Sequence, residues 1–388
     1  MTLWIIEPRD PLIVRDGRPF GPNPGARAAT LPFPFPATVA GGLRHKAGMD
    51  ADGAFGTTDA NSDFVKTLAM RGPLLVRLNN GDDSIAEWLP PAPADALILD
   101  REPADEAVCV QQLAPRTLTA TSSLPTGLQL IGPRAPVSNK ASAATPRFWH
   151  WQAFEQWLAA PADDDARPRA ELGLGHLETD TRLHVSVQSA TQTAIDGALF
   201  QTQGLVFTGS DRARLALAAA FDGETPHFKE GGLAPLGGER RLMRWIPSTQ
   251  TALPTVAQTL REHIIRERRA RVVLLTPACF AEGFRPAFDW VRDGATATLE
   301  AALVQRAQVI SGWDMHALNA SGRRGQPKAT RRLAPAGSVY FITWQEDQDV
   351  AAWLNATWMQ NVSDELQDQR DGFGLAVYGV WPQEEGQR

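Results

Sequence analysis

Short apolar runs separated by helical patterns recur in both halves of the chain and most constrain its fold. Residues 271–276, 338–343 and 375–380 have the length and composition of buried strands, and helical patterns lie at 255–271 and 349–359. The N-terminal half has strand patterns at 3–14, 72–78, 183–188 and 198–208. This alternation predicts an α+β protein with two related sheet domains, residues 1–214 and 215–388.

Glycine and proline cluster at particular places in the chain. Residues 17–36 form a loop with three Phe and no helical or strand period. Residues 86–148 are rich in Pro, Ala and Thr with little periodicity, which indicates an insertion at about 90–170.

Composition excludes several classes of protein. With 43% hydrophobic and 21% charged residues, the chain is globular rather than disordered. Its net charge of −6 means that attraction to nucleic acid or an anionic membrane has to come from a local patch. No apolar run approaches the ~18 residues of a membrane span, so we expect no membrane partner. Cys109 and Cys279 stand far apart, which favours a cytoplasmic protein without structural zinc or another cofactor.

Basic residues are mostly arginine, 33 of 38, a bias that a GC-rich genome explains, so only local placement carries information. The strongest local feature is residues 321–332 (SGRRGQPKATRR), which holds five cations and no acid. Such a loop is a candidate phosphate contact. It leads to Gly337 and Ser338 at the entry of a strand, where free amides can hold a phosphate or a base. The candidate cations are Arg323, Arg324, Lys328, Arg331 and Arg332.

Two further segments are candidate anion sites. Residues 14–20 (VRDGRPF) precede a helix in which Thr38 is predicted as the N-cap, Gly41 and Gly42 fall in the first turn, and Arg44 follows. Tight packing of that helix on its sheet is the alternative explanation of the glycines. The third segment is a glycine-rich turn at 237–241 (GGERR). These segments contribute Arg15, Arg18, Arg240 and Arg241 to the candidate set.

Catalytic patterns are weak. The Asn80-Gly81-Asp82-Asp83 stretch resembles an acidic metal-binding turn, but Asn-Gly after a strand is foremost a hairpin signal. His45 and His316 border the basic segments and are the candidate general bases of an alternative function, metal-independent cleavage of RNA. We expect no catalytic and no metal-binding residue.

Sequence blocks spread over nearly the whole chain resemble one family. They are WIIEPRDPLIVRDGRPF, LPFPFPATVAGGLRHKAG, RLHVSVQSATQTAIDGALF, LGGERR, ISGWDMHALNASGRRGQPKATRRLAPAGSVYFI and DGFGLAVYGVW, in that order. They are similar to the third subunit of the Cmr complex, a type III-B CRISPR effector. That subunit belongs to the repeat-associated mysterious protein (RAMP) superfamily.

The resemblance implies two ferredoxin-like, RNA-recognition-motif-type domains with antiparallel sheets, whose facing clefts bind the 5′ handle of a CRISPR RNA. It also implies contacts with the large palm-domain subunit and with the first backbone subunit, and no catalysis. Carried onto this sequence, the handle contacts include Arg15, Arg18, the start of the helix from Thr38 to Arg44, Arg240, Arg241, Lys328, Arg331, Arg332 and the strand entry at Gly337 and Ser338. Two alternatives stay open: an endoribonuclease that processes precursor CRISPR RNA, and the equivalent handle-binding subunit of a type III-A complex.

Overall fold

The computed structural model describes residues 1–15, 26–50, 52–56, 58–101, 107–116, 123–134, 136–161, 165–209, 212–225, 229–248, 252–318, 321–322 and 324–382. Within these residues no helix is both long and apolar enough to cross a membrane.

The first of two large sheets has six antiparallel strands and covers the N-terminal half. Alternate side chains of its central strands are buried on opposite faces, so the strands are almost wholly apolar. From edge to edge the strands are β14 (Gly232–Pro235), β15 (Leu242–Pro247), β1 (Thr2–Pro8), β13 (Leu215–Phe221), β3 (Met70–Leu78) and β4 (Ile85–Leu89).

The second large sheet also has six antiparallel strands and lies in the C-terminal half. The predicted strands at 271–276, 338–343 and 375–380 form its centre. From edge to edge it comprises β17 (Asp289–Arg292), β18 (Ala295–Leu303), β23 (Val339–Thr343), β16 (Arg269–Leu274), β25 (Leu375–Val380) and β24 (Gln360–Asn361). The predicted α+β class with sheets in both halves is confirmed.

Both sheets share one internal strand order. In the first sheet we number β1, β3, β13 and β15 as strands 1 to 4 along the chain, and in the second sheet β16, β18, β23 and β25. In both sheets these four strands then lie side by side in the order 4-1-3-2. The third and fourth strands of the first sheet therefore come from residues 215–247. The predicted boundary at residue 214 does not separate the two sheets, because pairing of β13 with β1 and β3 holds these residues in the first sheet.

Seven helices are described, most of them short. The two at the predicted positions 255–271 and 349–359 are shorter than predicted. The helices are α1 (Pro36–Ala47), α2 (Asp59–Thr67), α3 (Trp151–Ala159), α4 (Arg169–Leu172), α5 (Gln258–Glu267), α6 (Val350–Asn355) and α7 (Leu366–Arg370).

The predicted insertion contains an ordered small sheet rather than irregular chain. It consists of β5 (Ala96–Asp100), β6 (Ala107–Arg116), β7 (Leu130–Pro133) and β9 (Asp165–Pro168), and β8 (Phe148–Trp149) pairs with β10 (Gly173–Leu174). The aromatic side chains at 148–157 pack in the interior: Trp149, Phe154 and Trp157 are buried. Their burial makes this aromatic stripe part of the core.

Three smaller sheets extend the two halves. A long ribbon is formed by β11 (Glu178–Gln188) and β12 (Thr193–Val206), and β2 (Ala26–Ala28) pairs in parallel with β12. An arm in the C-terminal half is built from β19 (Gln308–Ile310) with β22 (Arg331–Leu333), followed outward by β20 (Trp313–Leu318) with β21 (Arg324–Pro327).

The two halves are joined through a shared core and a buried ion pair. Arg271 on β16 and Asp95 in the loop before β5 are both fully buried and form an ion pair. The Arg271 guanidinium also donates to the carbonyls of Val380 (2.6 Å) and Trp157 (2.7 Å), and the Trp157 indole donates to Asp95 (3.1 Å). Each polar group of this cluster is thus paired, as burial requires.

Candidate nucleic-acid interface

The turn at 236–241 and the segment at 12–15 lie side by side. The Gly238 amide donates to the Ile13 carbonyl (2.7 Å). At Gly237, φ is +74° and an added Cβ would lie 2.5 Å from the Ile13 oxygen, so only glycine fits this approach. The contact places exposed Arg240 and half-buried Arg241 on the segment that neighbours Arg15.

The segment at 12–15 is connected in turn to the chain that leads into α1. Arg15 forms a bridge with Thr30, and the Leu31 amide donates to the Val14 carbonyl (2.7 Å). The chain then runs through Phe33 and Phe35 to α1. Arg15 therefore stands at one end of a wall that continues to the N-terminus of this helix.

Helix α1 begins earlier than predicted. Its N-cap is Phe35 with Pro36 at the first helical position, so the prediction of Thr38 as N-cap is wrong and Gly41 and Gly42 lie mid-helix, not in the first turn. An added Cβ on Gly42 would lie 2.8 Å from the Trp245 ring, whereas Gly41 faces open space. Gly42 therefore serves helix–sheet packing, the alternative explanation of the glycine pair.

Arg44 of α1 is engaged within the protein. It forms an ion pair with Asp371 (2.5 Å) and donates to the carbonyls of Leu68 (2.8 Å) and Arg370 (3.1 Å). This arginine ties the first half to the residues after α7. A contact of Arg44 with RNA would have to compete with these bonds.

The basic loop sits on the arm of the C-terminal half. Lys328 and Arg332 are exposed, and Arg332 is paired by register with Val309 of β19. Arg331 differs, because one of its amino groups donates 2.7 Å bonds to both carboxylate oxygens of buried Asp368. Arg18 and Arg323 lie outside the described residues, and so does the side chain of Arg324.

The polar groups at the strand entry after this loop are bonded within the chain. Ser338 is buried and its hydroxyl donates to the Pro335 carbonyl (2.7 Å), while the Gly337 amide donates to the Leu274 carbonyl (2.7 Å). An added Cβ on Gly337 would lie 2.4 Å from the Ala92 oxygen. The predicted close backbone approach at Gly337 exists, but the approaching backbone belongs to this chain.

A cleft of about 410 Å³ lies between the two large sheets and connects these segments. Its walls come from residues 32–36 and β3 on one side, and from residues 275–277, 305–308 and 335–336 on the other. Leu333 packs against Phe35 in one buried cluster, so the base of the arm meets the start of α1 at this cleft.

The cleft has aromatic and cationic walls. Phe33 and Phe148 are 5.4 Å apart between ring centroids, and Arg147, His176 and Arg306 stand at the rim. None of the described residues that line the cleft is acidic. The Arg147 guanidinium contacts the His176 ring (3.4 Å), and partial burial together with this arginine lowers the pKa of His176, which keeps it neutral at pH 7. Sequence reasoning missed Arg147, His176 and Arg306, which come from three distant segments.

The acidic turn at Asn80–Asp83 does not form a metal site. Asp83 pairs with Arg244 (2.5 Å) and Arg214 (3.1 Å), and hydrogen bonding to these arginines holds the pKa of its carboxyl below the usual value. In the part of the chain that the structure describes, no group of three or more His, Cys, Asp or Glu residues could hold a metal ion.

Of the two candidate general bases, only His45 has a described side chain. The His45 ring stacks on Phe55 with 5.1 Å between centroids, and burial and neighbouring Lys46 lower its pKa. Its ring makes no hydrogen bond with any described residue, so nothing there orients it as a base. The side chain of His316 lies outside the described residues.

Comparison with known proteins identifies the family. Similar solved structures include a chain of a type III-B Cmr-β complex bound to cognate target RNA and AMPPNP, with 14% identity over 88% of this chain and 86% of that chain and a TM-score of 0.47. A chain of Cmr-β bound to cognate target RNA matches with the same identity and coverage and a TM-score of 0.45. No curated protein sequence matches this chain. The model of the family described as CRISPR-associated protein (Cas_Cmr3) matches residues 4–381. Because this match spans almost the entire chain, the protein belongs to the Cmr3 family of CRISPR-associated proteins, which confirms the family that its sequence resembles.

Proposed function

We propose that this chain binds the repeat-derived 5′ handle of a CRISPR RNA in the cytoplasm as a non-catalytic subunit of a type III-B Cmr complex. In this proposal the handle follows the cleft between two ferredoxin-like RAMP domains. The 4-1-3-2 strand order in both sheets supports that domain type, although each has only one of the two helices expected of it.

The observation that carries the proposal is the set of aromatic and cationic side chains in and beside the cleft. Phe33, Phe148 and Arg306 line it. Arg15 and the turn at Arg240 connect to it through the chain before α1, and Arg332 connects to it through the arm. Single-stranded RNA is bound by cations that contact its phosphates and by rings that stack on its splayed bases. A cleft with these groups and no acidic lining residue matches that requirement in a chain of net charge −6.

In this proposal, partner subunits contact a surface outside the cleft. The ribbon of β11 and β12 exposes several large apolar side chains, namely Leu183, Val185, Val187, Ile195 and Leu199. Exposed apolar patches of this kind mark protein contacts. We infer that the chain connects the large palm-domain subunit to the first backbone subunit, with surfaces such as this ribbon buried on assembly.

The proposal is tested with the full chain and a labelled RNA of the handle sequence. We expect that RNA to bind more tightly than a permuted RNA of the same composition. Arg306→Gln and Arg332→Gln should each weaken binding and reduce the slope of log K against log salt by about 0.7. Arg101→Gln, at an exposed arginine that neither lines the cleft nor belongs to the arm, is the matched control. Equal slopes for all three variants would refute the placement of the RNA.

The endoribonuclease alternative is separated by a different readout. If this chain cleaves repeat RNA, His45→Ala should abolish the cleavage. We expect neither the original chain nor the variant to release a product. Co-purifying protein partners distinguish a type III-B from a type III-A assembly.

A further inference from the structure

A second pocket, of about 610 Å³, lies at the start of β3 and shares no lining residue with the cleft. It is formed where the first sheet meets the residues after α6. The Asn361 amide donates to the Met70 carbonyl (2.6 Å) and fastens this part of the junction. The pocket is thus a built feature of the contact between the two halves.

Among the described residues that line this pocket, Arg71 carries the only charged side chain, and the first residue of the chain, Met1, lines it too. Arg71 is half-buried, and burial lowers its pKa although nearby Asp222 acts in the opposite direction. Its guanidinium makes no hydrogen bond or ion pair with any residue that the structure describes. A partly desolvated guanidinium with unused donors is a site for an anion.

The remaining walls are mostly apolar. Trp358 and Tyr378 meet edge to face with ring centroids 5.0 Å apart, and Leu253 and Met359 lie beside them. The Trp358 indole donates to the Pro254 carbonyl (2.8 Å), so the ring offers the pocket only its apolar surface. A ligand for this space needs an apolar body as well as a negative group.

The charge of the ligand follows from the same neighbours. The planar fork of one arginine matches one carboxylate, with two parallel hydrogen bonds. The negative charge of Asp222 near Arg71 opposes the approach of a dianion such as phosphate.

We propose that this pocket binds an apolar monocarboxylate, with Arg71 pairing the carboxylate and the Trp358 and Tyr378 rings packing on the apolar body. This chemistry is shared by an apolar C-terminal residue of a polypeptide and by a free aliphatic acid. The site is separate from the cleft and does not depend on RNA binding.

The test uses the full chain with N-acetyl-leucine and its neutral analogue N-acetyl-leucinamide. Binding is read from the NMR shift of the Trp358 indole N–H, assigned with Trp358→Phe. We expect the carboxylate to bind at least about tenfold more tightly than the amide, because the amide loses the charged pair. Equal binding of the two probes overturns the proposal.

Variants connect the binding to Arg71. Arg71→Gln should remove the preference for the carboxylate, and Arg71→Lys should keep part of it because the charge remains without the fork. Arg9→Gln, at an exposed arginine outside the pocket, should change nothing. Unchanged thermal midpoints show that the variants fold, and unchanged binding of handle RNA by Arg71→Gln separates this site from the cleft. A carboxylate preference that survives Arg71→Gln contradicts the proposal.

Two further probes distinguish the sources of the ligand. An acetylated tripeptide ending in Leu binds more tightly than 4-methylpentanoate if the natural ligand is a polypeptide terminus, and more weakly if it is a free acid. Inorganic phosphate is the opposing probe: if it displaces N-acetyl-leucine at equal concentration, the site is not selective for a monocarboxylate and the proposal is wrong.

Discussion

The buried pair of Arg271 and Asp95 should dominate the stability of the junction between the two halves. Both side chains are fully buried, and the arginine makes two further hydrogen bonds to carbonyls of Val380 and Trp157. Arg271→Met leaves the buried Asp95 carboxylate with only the hydrogen bond from the Trp157 indole, and it removes the donor to the carbonyls of Val380 and Trp157. Breaking a buried pair in this way costs about 3–5 kcal/mol, so we expect a loss of about 4 kcal/mol in the free energy of unfolding.

A double-mutant cycle separates the pair from general packing. Arg271→Met combined with Asp95→Leu removes both charges, so the double variant should cost no more than Arg271→Met alone. Urea denaturation followed by circular dichroism measures each free energy, and Arg9→Met, at an exposed position, should stay within about 0.5 kcal/mol of the original chain. Additive losses in the double variant, or a loss below about 1 kcal/mol for Arg271→Met, would refute this reasoning.

Three other predictions follow from particular contacts. Arg331→Ala should lower the thermal midpoint because it leaves the buried Asp368 carboxylate unpaired, whereas Arg332→Ala should affect only RNA affinity. The hydrogen bond that His150 donates to Glu87 raises the pKa of His150. Its stabilisation is complete below the unfolded value of about 6.5 and is lost as pH rises through the folded pKa, so the stability difference between the original chain and His150→Gln should shrink as pH rises above about 6.5. Gly237→Ala should lower the free energy of unfolding by about 1–3 kcal/mol in chemical denaturation, since its φ of +74° and its contact with Ile13 exclude a side chain. Gly41→Ala, in open space within a helix, should instead raise the free energy of unfolding by up to about 1 kcal/mol. Each prediction has an outcome that would contradict it. These outcomes are an unchanged thermal midpoint for Arg331→Ala, a stability difference for His150→Gln that does not vary with pH, and equal changes in the free energy of unfolding for the two glycine variants.

The three central strands of the second sheet could be predicted because the chain has a largely apolar run at each of them. Residues 375–380 match β25, and 271–276 overlaps β16 (Arg269–Leu274) with a shift of two residues. A strand that is buried on both faces does not alternate polar and apolar residues, so a continuous apolar run by itself indicates such a strand. In the small sheet of the insertion, β7 and β9 are only four residues long and end in proline, and two glutamines and a proline interrupt β6.

The start of α1 was accessible in the sequence but was assigned to the wrong residue. Thr38 has the side chain of a typical N-cap, whereas Pro36 marks the first helical turn equally well and is the residue that begins the helix. The proline locks the φ angle that the helix needs and lacks the N–H that would be unpaired there. Shifting the start moves both glycines to the middle of the helix.

Most of the cleft could not be predicted from local pattern. Arg147, His176 and Arg306 meet only after the insertion packs against both sheets. Likewise, Arg44 finds its partner Asp371 at a distance of 327 residues along the chain, and Arg331 finds Asp368. A basic residue in a sequence does not show whether an acidic partner of the same chain holds it, so charge patterns overestimate the set of free RNA contacts.

The central claim is tested most directly by the RNA and protein content of the native assembly that contains this chain, with crosslinks mapped on the RNA. The account predicts a co-purifying CRISPR RNA with an intact repeat-derived 5′ end, crosslinked through that end to Phe33 or Phe148, together with a palm-type large subunit. Isolation of the chain as a monomer that cleaves repeat RNA by itself, or crosslinks that fall outside the cleft, would contradict it.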